Sequence, residues 1–319
     1  MVRRTTFVTA IALMCGGAPA SAQAPATLTV FGAGTLAAPF KQIDAAFEKQ
    51  NPGVVVQAQF GGSVMMARKI ADLHQNADVI AVADYSVIPK YLFGAEAKTA
   101  HADWYAGFAQ NAITFVYTDK SKFSKEVSAQ NWYEYLTKPD VQIGRSNPDT
   151  DPSGYQTLQM LALAEAHYQS PGLEGKVLAN APQANIRDTE TELVAALQLG
   201  QIDYLAIYRS DALQHHLAFL DLPAEINLSD PADAASYAKA VVHTKNGDVA
   251  GKPIVYAVTI PSDADHPDWA QKYVAFLLSR AGQEIMASNG FGVVNPPYAV
   301  GLDAMPENLR ALVKPWPGQ

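Results

Sequence analysis

The sequence predicts an α/β protein with two doubly wound lobes joined by crossing strands. Short apolar runs that suit buried strands alternate with amphipathic helical runs, which is typical of parallel sheets. Glycine turns follow the first two strands, at the points where helices should begin. The chain has 319 residues, of which 49% are hydrophobic, and this is ample for one large domain or for two lobes with their own cores.

The first part of the chain shows the alternation most clearly. Strands are predicted at 28–31, 54–60 and 77–82, and helices at 35–50 and 63–73. One face of the first helix combines the apolar residues Leu36, Phe40, Ile43 and Phe47. This face should pack against the sheet.

The rest of the chain continues the pattern and suggests the lobe bounds. Further strands are predicted at 112–117, 141–144, 203–208 and 254–260, and helices at 156–168, 190–199, 269–278 and 283–289. The proline-rich tail from Pro296 is expected to wrap the surface irregularly. We expect the first lobe at 23–112, the second at 113–260, and the return to the first lobe with the tail at 261–319. The strands near 113–117 and 255–260 would join the lobes.

Residues 1–22 have the pattern of a cleavable secretory signal. Arg3 and Arg4 precede an apolar stretch at 7–14, and Ala20-Ser21-Ala22 forms an A-x-A cleavage site. Cleavage would also remove Cys15 and leave an exported chain without cysteine. Because two arginines leave with the signal, the formal net charge would change from −8 to −10. Such an acidic chain is a poor partner for nucleic acid or an anionic membrane.

The two glycine turns place hydroxyl residues where helices should begin. Thr35 follows Gly34, and Ser63 follows Gly61 and Gly62. A helix start offers free N–H groups and a positive dipole end, both of which suit an anion. Simple helix caps are the alternative explanation for each hydroxyl. Both turns should lie at the carboxyl edge of the sheet, where α/β proteins bind ligands.

Two acidic segments stand at later helix starts. Asp151 precedes a proline, so capping of the helix that follows is its plainest role. Thr189 and Glu192 have the spacing of a capping box, which leaves Glu190 at the first helical position. Tyr208 follows a strand, and its hydroxyl could point into a cleft or be satisfied in the core.

The familiar catalytic and cofactor motifs are missing from the sequence. Ala37 stands where a dinucleotide-binding turn needs its third glycine. Neither a G-x-S-x-G elbow nor a Walker A motif occurs, and His215-His216 and the other five histidines lack metal-site spacing. An enzyme is therefore not the favoured class, although a hydrolase with Asp151 and Glu190 as acid and base stays open.

Segments along the whole chain carry a family resemblance. They are 31–36 (FGAGTL), 61–64 (GGSV), 77–85 (ADVIAVADY), 146–155 (SNPDTDPSGY), 207–210 (IYRS), 225–229 (EINLS) and 251–256 (GKPIVY). In them the chain resembles the archaeal-type tungstate/molybdate-binding proteins of ABC importers, relatives of the broader molybdate-binding family. The resemblance runs from about Leu28 to Pro297.

This resemblance implies a periplasmic-binding-protein type II fold whose lobes close on a tetrahedral oxyanion. It implies that the hydroxyls of Thr35, Ser63 and Tyr208 bind oxyanion oxygens. The backbone at Gly62 and Ser153 should approach the same oxygens. The family more often has serine at the position of Thr35, and frequently has cysteine at the position of Ser153.

The resemblance also implies that Asp151 and Glu190 bind the tungsten or molybdenum itself, with Glu192 as the alternative to Glu190. An acid about 4 Å from an anion costs roughly 4 kcal/mol per charge pair at an effective dielectric of 20. Direct bonds to a hexavalent metal would remove this penalty, whereas the sulfur of sulfate accepts no such ligands. The acids would then attract the metal oxyanion and repel sulfate.

The function expected from the resemblance is that of a periplasmic receptor. It would capture tungstate or molybdate, deliver the ion to the membrane permease of an ABC importer, and have no catalytic activity. It would need no cofactor and would act as a monomer. A receptor for another oxyanion, such as sulfate or phosphate, is the main alternative.

Overall fold

The computed structural model describes residues 1–2, 24–94 and 100–317. The predicted signal beyond Val2, with Cys15 and the cleavage site, lies outside these residues. Within them, none of the helices combines the length and apolar character needed to cross a membrane.

The strands of the described residues form two large sheets and one two-stranded hairpin. In chain order within the described residues, β1 to β14 are Ala26–Ala33, Val54–Gly61, Val79–Val82, Tyr105–Gln110, Ile113–Tyr117, Ile143–Ser146, Ile186–Arg187, Tyr204–Tyr208, Ala218–Phe219, Val241–Thr244, Gly247–Ala250, Val255–Thr259, Gly292–Val300 and Lys314–Pro315.

Helices fill most of the intervals between the strands. In chain order within the same residues, α1 to α13 are Ala37–Gln50, Ser63–Ala71, Val87–Leu92, Trp132–Tyr135, Pro152–His167, Leu173–Ala179, Val194–Leu199, Arg209–Gln214, Ala224–Asn227, Ala234–Tyr237, Pro267–Leu278, Arg280–Ser288 and Glu307–Arg310. Short 3₁₀ turns occupy Gly34–Leu36, Gln183–Asn185, Glu190–Leu193 and Pro231–Asp233.

The larger sheet has seven strands in the order β14-β13-β4-β12-β3-β1-β2. The strands β2, β1 and β3 are parallel, as the βαβ pattern predicts. In contrast, β12 runs antiparallel to both of its neighbours, β3 and β4. The segment Val255–Thr259, which the sequence analysis placed at the end of the second lobe, therefore lies inside the first. All five of its residues are buried, because strands flank it on both sides.

The smaller sheet has five strands in the order β7-β6-β8-β5-β9. The chain enters it through Asn111 and Ala112, the two residues between β4 and β5. It returns to the larger sheet at β12, after the antiparallel hairpin formed by β10 and β11. The two sheets are thus built by separate parts of the chain and face each other across a cleft.

The core confirms the apolar face predicted for the first helix, of which Leu36 lies in the 3₁₀ turn before α1. Leu36, Phe40, Ile43 and Phe47 are each no more than 1% exposed. Phe47 packs edge-on against Tyr273 of α11, with ring centroids 5.2 Å apart. The first lobe therefore encloses an aromatic core between its sheet and the helices α1 and α11.

The tail contradicts the expectation of irregular structure. Gly292–Val300 forms β13, which pairs antiparallel with β4. The pairing register shifts between Val293 and Tyr298, and Pro296 and Pro297 lie in this interruption. A proline lacks the N–H that a sheet ladder needs, so it fits a strand where the ladder is broken. The prolines therefore mark a bulge rather than an irregular tail.

Candidate functional site

Helix starts from the two lobes meet across the cleft. Gly62 precedes α2 in the first lobe, and a Cβ atom there would overlap the carbonyl oxygen of Thr150 in the second. Gly34 lies beside the Thr189–Thr191 segment, where an added Cβ would be 3.4 Å from Thr191 Oγ1. The missing side chains at the two glycine turns therefore let the lobes approach closely.

Asp151 lies at the N-cap position of α5, but its side chain does not cap the helix. The residue is 4% exposed, and its Oδ2 atom has no hydrogen-bond partner within the described part of the chain. Burial raises the pKa of the Asp151 carboxyl well above its ordinary value, and the neighbouring Glu190 raises it further. The capping role predicted from the sequence is therefore wrong.

Glu190 lies next to Asp151 and is 2% exposed. Its Oε1 atom also lacks a hydrogen-bond partner among the residues described. Glu192 is exposed, and its Oε1 accepts a hydrogen bond from the Thr189 N–H at 3.2 Å, which completes the predicted capping box. The structure therefore places Glu190, and not Glu192, beside Asp151.

The two predicted hydroxyl residues have roles different from capping. Thr35 lies inside the 3₁₀ turn that begins at Gly34, and its Oγ1 is 2.9 Å from the hydroxyl oxygen of Tyr256. Ser63 is the first residue of α2, where Gly62 holds the N-cap position, and its Oγ accepts a hydrogen bond from the Ala83 N–H at 2.9 Å. Both side chains are buried, and neither one caps its helix.

The second lobe contributes the remaining predicted residues. Ser153 is fully buried in the first turn of α5, and its Oγ lies 3.1 Å from Ser146 Oγ. Tyr208 ends β8, and its hydroxyl donates to Gln156 Oε1 at 2.6 Å. The Tyr208 proton is therefore already engaged inside the second lobe.

Sequence reasoning missed three buried polar residues at this site. Asp211 in α8 is 1% exposed, and burial followed by the charge of Glu190 raises the pKa of its carboxyl. Tyr256 and Asn111 form a hydrogen-bonded cluster with Thr35. Asp211 directly follows the segment 207–210, and Tyr256 ends the segment 251–256; both segments carry the family resemblance. A polar residue in or beside such an apolar segment was the signal that could have found them. Asn111 had no such signal.

The outer part of the cleft is a cavity of about 480 Å³. Apolar residues of the first lobe, including Phe60 and Met65, line one side of it. Polar residues of the second lobe, including Asp211 and His215, line the other. Across the described ranges, no group of three or more His, Cys, Asp or Glu side chains has an arrangement suited to hold a metal ion.

A further buried carboxylate, Asp84, bridges the lobes at the end of β3. Its Oδ2 accepts hydrogen bonds from Tyr155 of α5 at 2.7 Å and pairs with Lys252 Nζ at 3.0 Å. Its Oδ1 accepts from the N–H and the hydroxyl of Ser86. This carboxylate has a full set of partners and helps to hold the lobes together.

The fold is that of a two-lobed solute-binding receptor, and helix starts and buried acids lie at the cleft between its lobes. The chain belongs to the bacterial extracellular solute-binding protein family, whose model matches residues 28–292.

Individual relatives cover nearly the whole chain. A solute-binding protein of Petrotoga mobilis is 39% identical over 293 residues, which are 90% of each chain. The molybdate/tungstate-binding protein WtpA of Pyrococcus abyssi is 35% identical and covers 94% of this chain and 93% of its own length. Among solved structures, the periplasmic molybdate-binding protein of Azotobacter vinelandii matches 84% of this chain and 99% of its own, with a TM-score of 0.62 at 17% identity. The last match supports the fold.

Proposed function

We propose that this chain is a periplasmic receptor that captures tungstate or molybdate for an ABC importer. The observation that carries the proposal is the pair Asp151 and Glu190, two buried neighbouring acids that each have an oxygen without a partner among the described residues. Burying such a group without a partner costs about 1–3 kcal/mol. A ligand that accepts carboxylate oxygens would recover this cost, and the relative in Pyrococcus abyssi carries molybdate and tungstate in its name.

The metal centre of the oxyanion is the group that suits the two free oxygens. Carboxylates repel an anion if they stand beside it, by roughly 4 kcal/mol per charge pair at 4 Å and an effective dielectric of 20. Hexavalent tungsten and molybdenum accept further oxygen ligands, so Asp151 and Glu190 would bind the metal. Sulfur and phosphorus in their oxyanions do not accept them. The pair would therefore favour metal oxyanions over sulfate and phosphate.

The oxyanion oxygens would be bound by the residues around this pair. The hydroxyls of Thr35 and Ser63 and the backbone at Gly62 and Ser153 would supply donors from both lobes. Tyr208 would add a further donor once its proton turned from Gln156 Oε1 to the ligand. Because donors come from both sides of the cleft, the ligand would stabilise the closed form. The permease would recognise that form, and the receptor would act as a monomer without catalytic activity.

The test is ligand-dependent thermal unfolding, followed by calorimetric titration, with tungstate, molybdate, sulfate and phosphate in turn. A ligand at 100 times its Kd adds about 2.7 kcal/mol to the stability of the native state. The wild-type chain should be stabilised by tungstate and molybdate only. D151N and E190Q should each weaken the binding of tungstate by about tenfold or more, because each removes a charged oxygen ligand.

E192Q is the matched control, because Glu192 carries the same charge two residues away but belongs to the capping box. Its tungstate affinity should stay close to that of the wild type. Equal stabilisation by sulfate and tungstate, with no effect of D151N and E190Q, would instead support a general oxyanion receptor. Turnover of a chromogenic ester or glycoside would support the hydrolase.

A further inference from the structure

Asn111 connects the two lobes next to the proposed oxyanion site. It is the first of the two residues between β4 of the larger sheet and β5 of the smaller sheet, and it is 6% exposed. Its amide contacts Tyr256 from the larger sheet and Ser210 at the start of α8. A single side chain therefore contacts groups of both lobes.

Backbone N–H groups determine which way the Asn111 amide faces. Asn111 Oδ1 accepts hydrogen bonds from the N–H of Ala112 at 3.0 Å and from the N–H of Ser210 at 3.2 Å. Backbone N–H groups only donate, so the oxygen and not the nitrogen must face them. The Nδ2 group then has to face Ser210 Oγ, at 2.8 Å, and Tyr256 Oη, at 3.3 Å.

The amide orientation in turn favours one direction for the next hydrogen bond, because it leaves the Tyr256 proton in need of an acceptor. Tyr256 Oη accepts a hydrogen bond from Asn111 Nδ2, so its own proton is free to be donated in another hydrogen bond. Thr35 Oγ1 lies 2.9 Å from Tyr256 Oη and is the acceptor within reach. Among the hydrogen bonds of the described residues, this is the only one that Thr35 Oγ1 makes. The proton of Thr35 itself therefore remains available to a ligand.

We propose that Asn111 is a positioning residue that keeps the Thr35 hydroxyl a donor toward the bound oxyanion. The hydrogen bonds run in one direction, from the Asn111 amide to Tyr256, from Tyr256 to Thr35, and from Thr35 to an oxyanion oxygen. Each donor strengthens the next, because hydrogen-bonded chains polarise one another. This inference rests on the proposed function, since it needs an anion beside Thr35.

The substitution N111D reverses this direction while it keeps the shape of the side chain. The oxygen that faces Ala112 and Ser210 is retained, so their N–H groups stay satisfied. The second carboxylate oxygen takes the place of the donor Nδ2 and accepts a hydrogen bond from the Tyr256 hydroxyl. Tyr256 then has no proton for Thr35, and Thr35 has to donate to Tyr256 or face it unbonded. The oxyanion should lose a hydrogen bond.

N111D also adds a negative charge, and the substitution Y256F separates the two effects. Without the Tyr256 hydroxyl there is no chain to reverse, so only the added charge remains. We expect N111D to raise the Kd for molybdate about tenfold more when Tyr256 is present than in the Y256F background. This ratio corresponds to one lost hydrogen bond to a charged group. The four proteins are compared by calorimetric titration with sodium molybdate.

Equal effects of N111D in the two backgrounds would overturn the inference, because they would show a charge effect alone. A parallel pair uses T35V, which removes the final donor: N111D should have the smaller effect in that background as well. If the wild type fails to bind molybdate or tungstate at all, the proposed function fails instead. Urea unfolding of each unliganded variant identifies any variant whose loss of binding comes from loss of folding.

Discussion

Asp84 and Asp151 are both buried carboxylates near the lobe interface, but their surroundings are opposite. Asp84 faces Lys252 and accepts hydrogen bonds from Tyr155 and Ser86. Asp151 faces a second acid, Glu190, and keeps one oxygen without a partner in the described structure. The partners of Asp84 compensate for its burial, whereas Asp151 lacks such compensation within the described residues, and this is where we propose that the ligand binds.

The pKa values of the two carboxyls move in opposite directions for the same reason. Burial opposes ionisation of Asp84, but Lys252 and the hydrogen bonds from Tyr155 and Ser86 outweigh it and lower the pKa. For Asp151, burial and the nearby Glu190 act together and raise the pKa. The surroundings of Asp84 therefore favour its charged form, whereas those of Asp151 oppose it.

The largest effect on stability is expected when Asp84 loses its cation. K252M leaves the Asp84 carboxylate buried without its cation, which should reduce the free energy of unfolding by about 3–5 kcal/mol. Guanidinium unfolding measures this loss. K245M is the matched control, because Lys245 pairs with Asp149 while 86% exposed and should contribute less than about 1 kcal/mol. Similar small losses for both variants would show that Asp84 does not depend on Lys252.

Substitution of Asp151 should change the stability of the protein in the opposite direction. D151N removes a carboxyl whose ionisation burial and Glu190 oppose, so the unliganded protein should become more stable at pH 7 by about 1–3 kcal/mol, the usual cost of one unsatisfied buried group. The same variant should bind tungstate more weakly. Urea unfolding without ligand, beside the titrations, measures both changes. A destabilised D151N would mean that Asp151 has a structural role like that of Asp84.

The stabilising effect of D151N should also depend on pH. The pKa of Asp151 is raised in the folded state, so the folded chain binds more protons than the unfolded chain above the ordinary pKa of about 4. Wild-type stability therefore falls relative to D151N as the pH rises through the folded pKa. Below pH 4 the two proteins should converge. Unfolding curves between pH 4 and 8 test this, and a constant difference would contradict the pKa shift.

The smallest expected effect concerns how closely the lobes approach around Asp151. G62A places a Cβ against the carbonyl of Thr150, so closure should weaken and the Kd for tungstate should rise about tenfold, or ~1.4 kcal/mol. G34A is the control, since its Cβ meets Thr191 Oγ1 only at 3.4 Å. X-ray scattering with ligand should show a more open G62A than G34A. Equal closure and affinity would mean that the Gly62 contact does not limit the cleft.

Much of the fold could be predicted because it depends on local patterns. The period of apolar residues located β1, β2, α1 and α2, and the spacing of Thr189 and Glu192 predicted the capping box that the structure shows. The prediction for the tail was wrong because its prolines indicated irregular structure. The partner strand β4, which makes Gly292–Val300 a strand, lies far away in the sequence.

The candidate site was predicted only in part. Helix starts predicted Thr35, Ser63, Asp151 and Glu190 as candidates, and their binding role stays a prediction. The capping roles offered as alternatives for the first three were wrong. Asn111, Tyr256 and Asp211 were missed, because their meaning comes from contacts across the lobes. Asn111 and Ser210 are 99 positions apart, and Thr35 and Tyr256 are 221 apart.

By itself the sequence determined the α/β class, the glycine turns at the helix starts and the presence of acids at two later ones. Backbone geometry and side-chain periodicity are properties of neighbouring residues, so they can be predicted from short stretches of sequence. Only the tertiary structure decided that Glu190 rather than Glu192 lies beside Asp151, and that Asp84 pairs with a cation while Asp151 pairs with none in the part of the chain that the structure describes. The state of a buried charge depends on which distant groups share its low-dielectric surroundings, and folding alone brings those groups together.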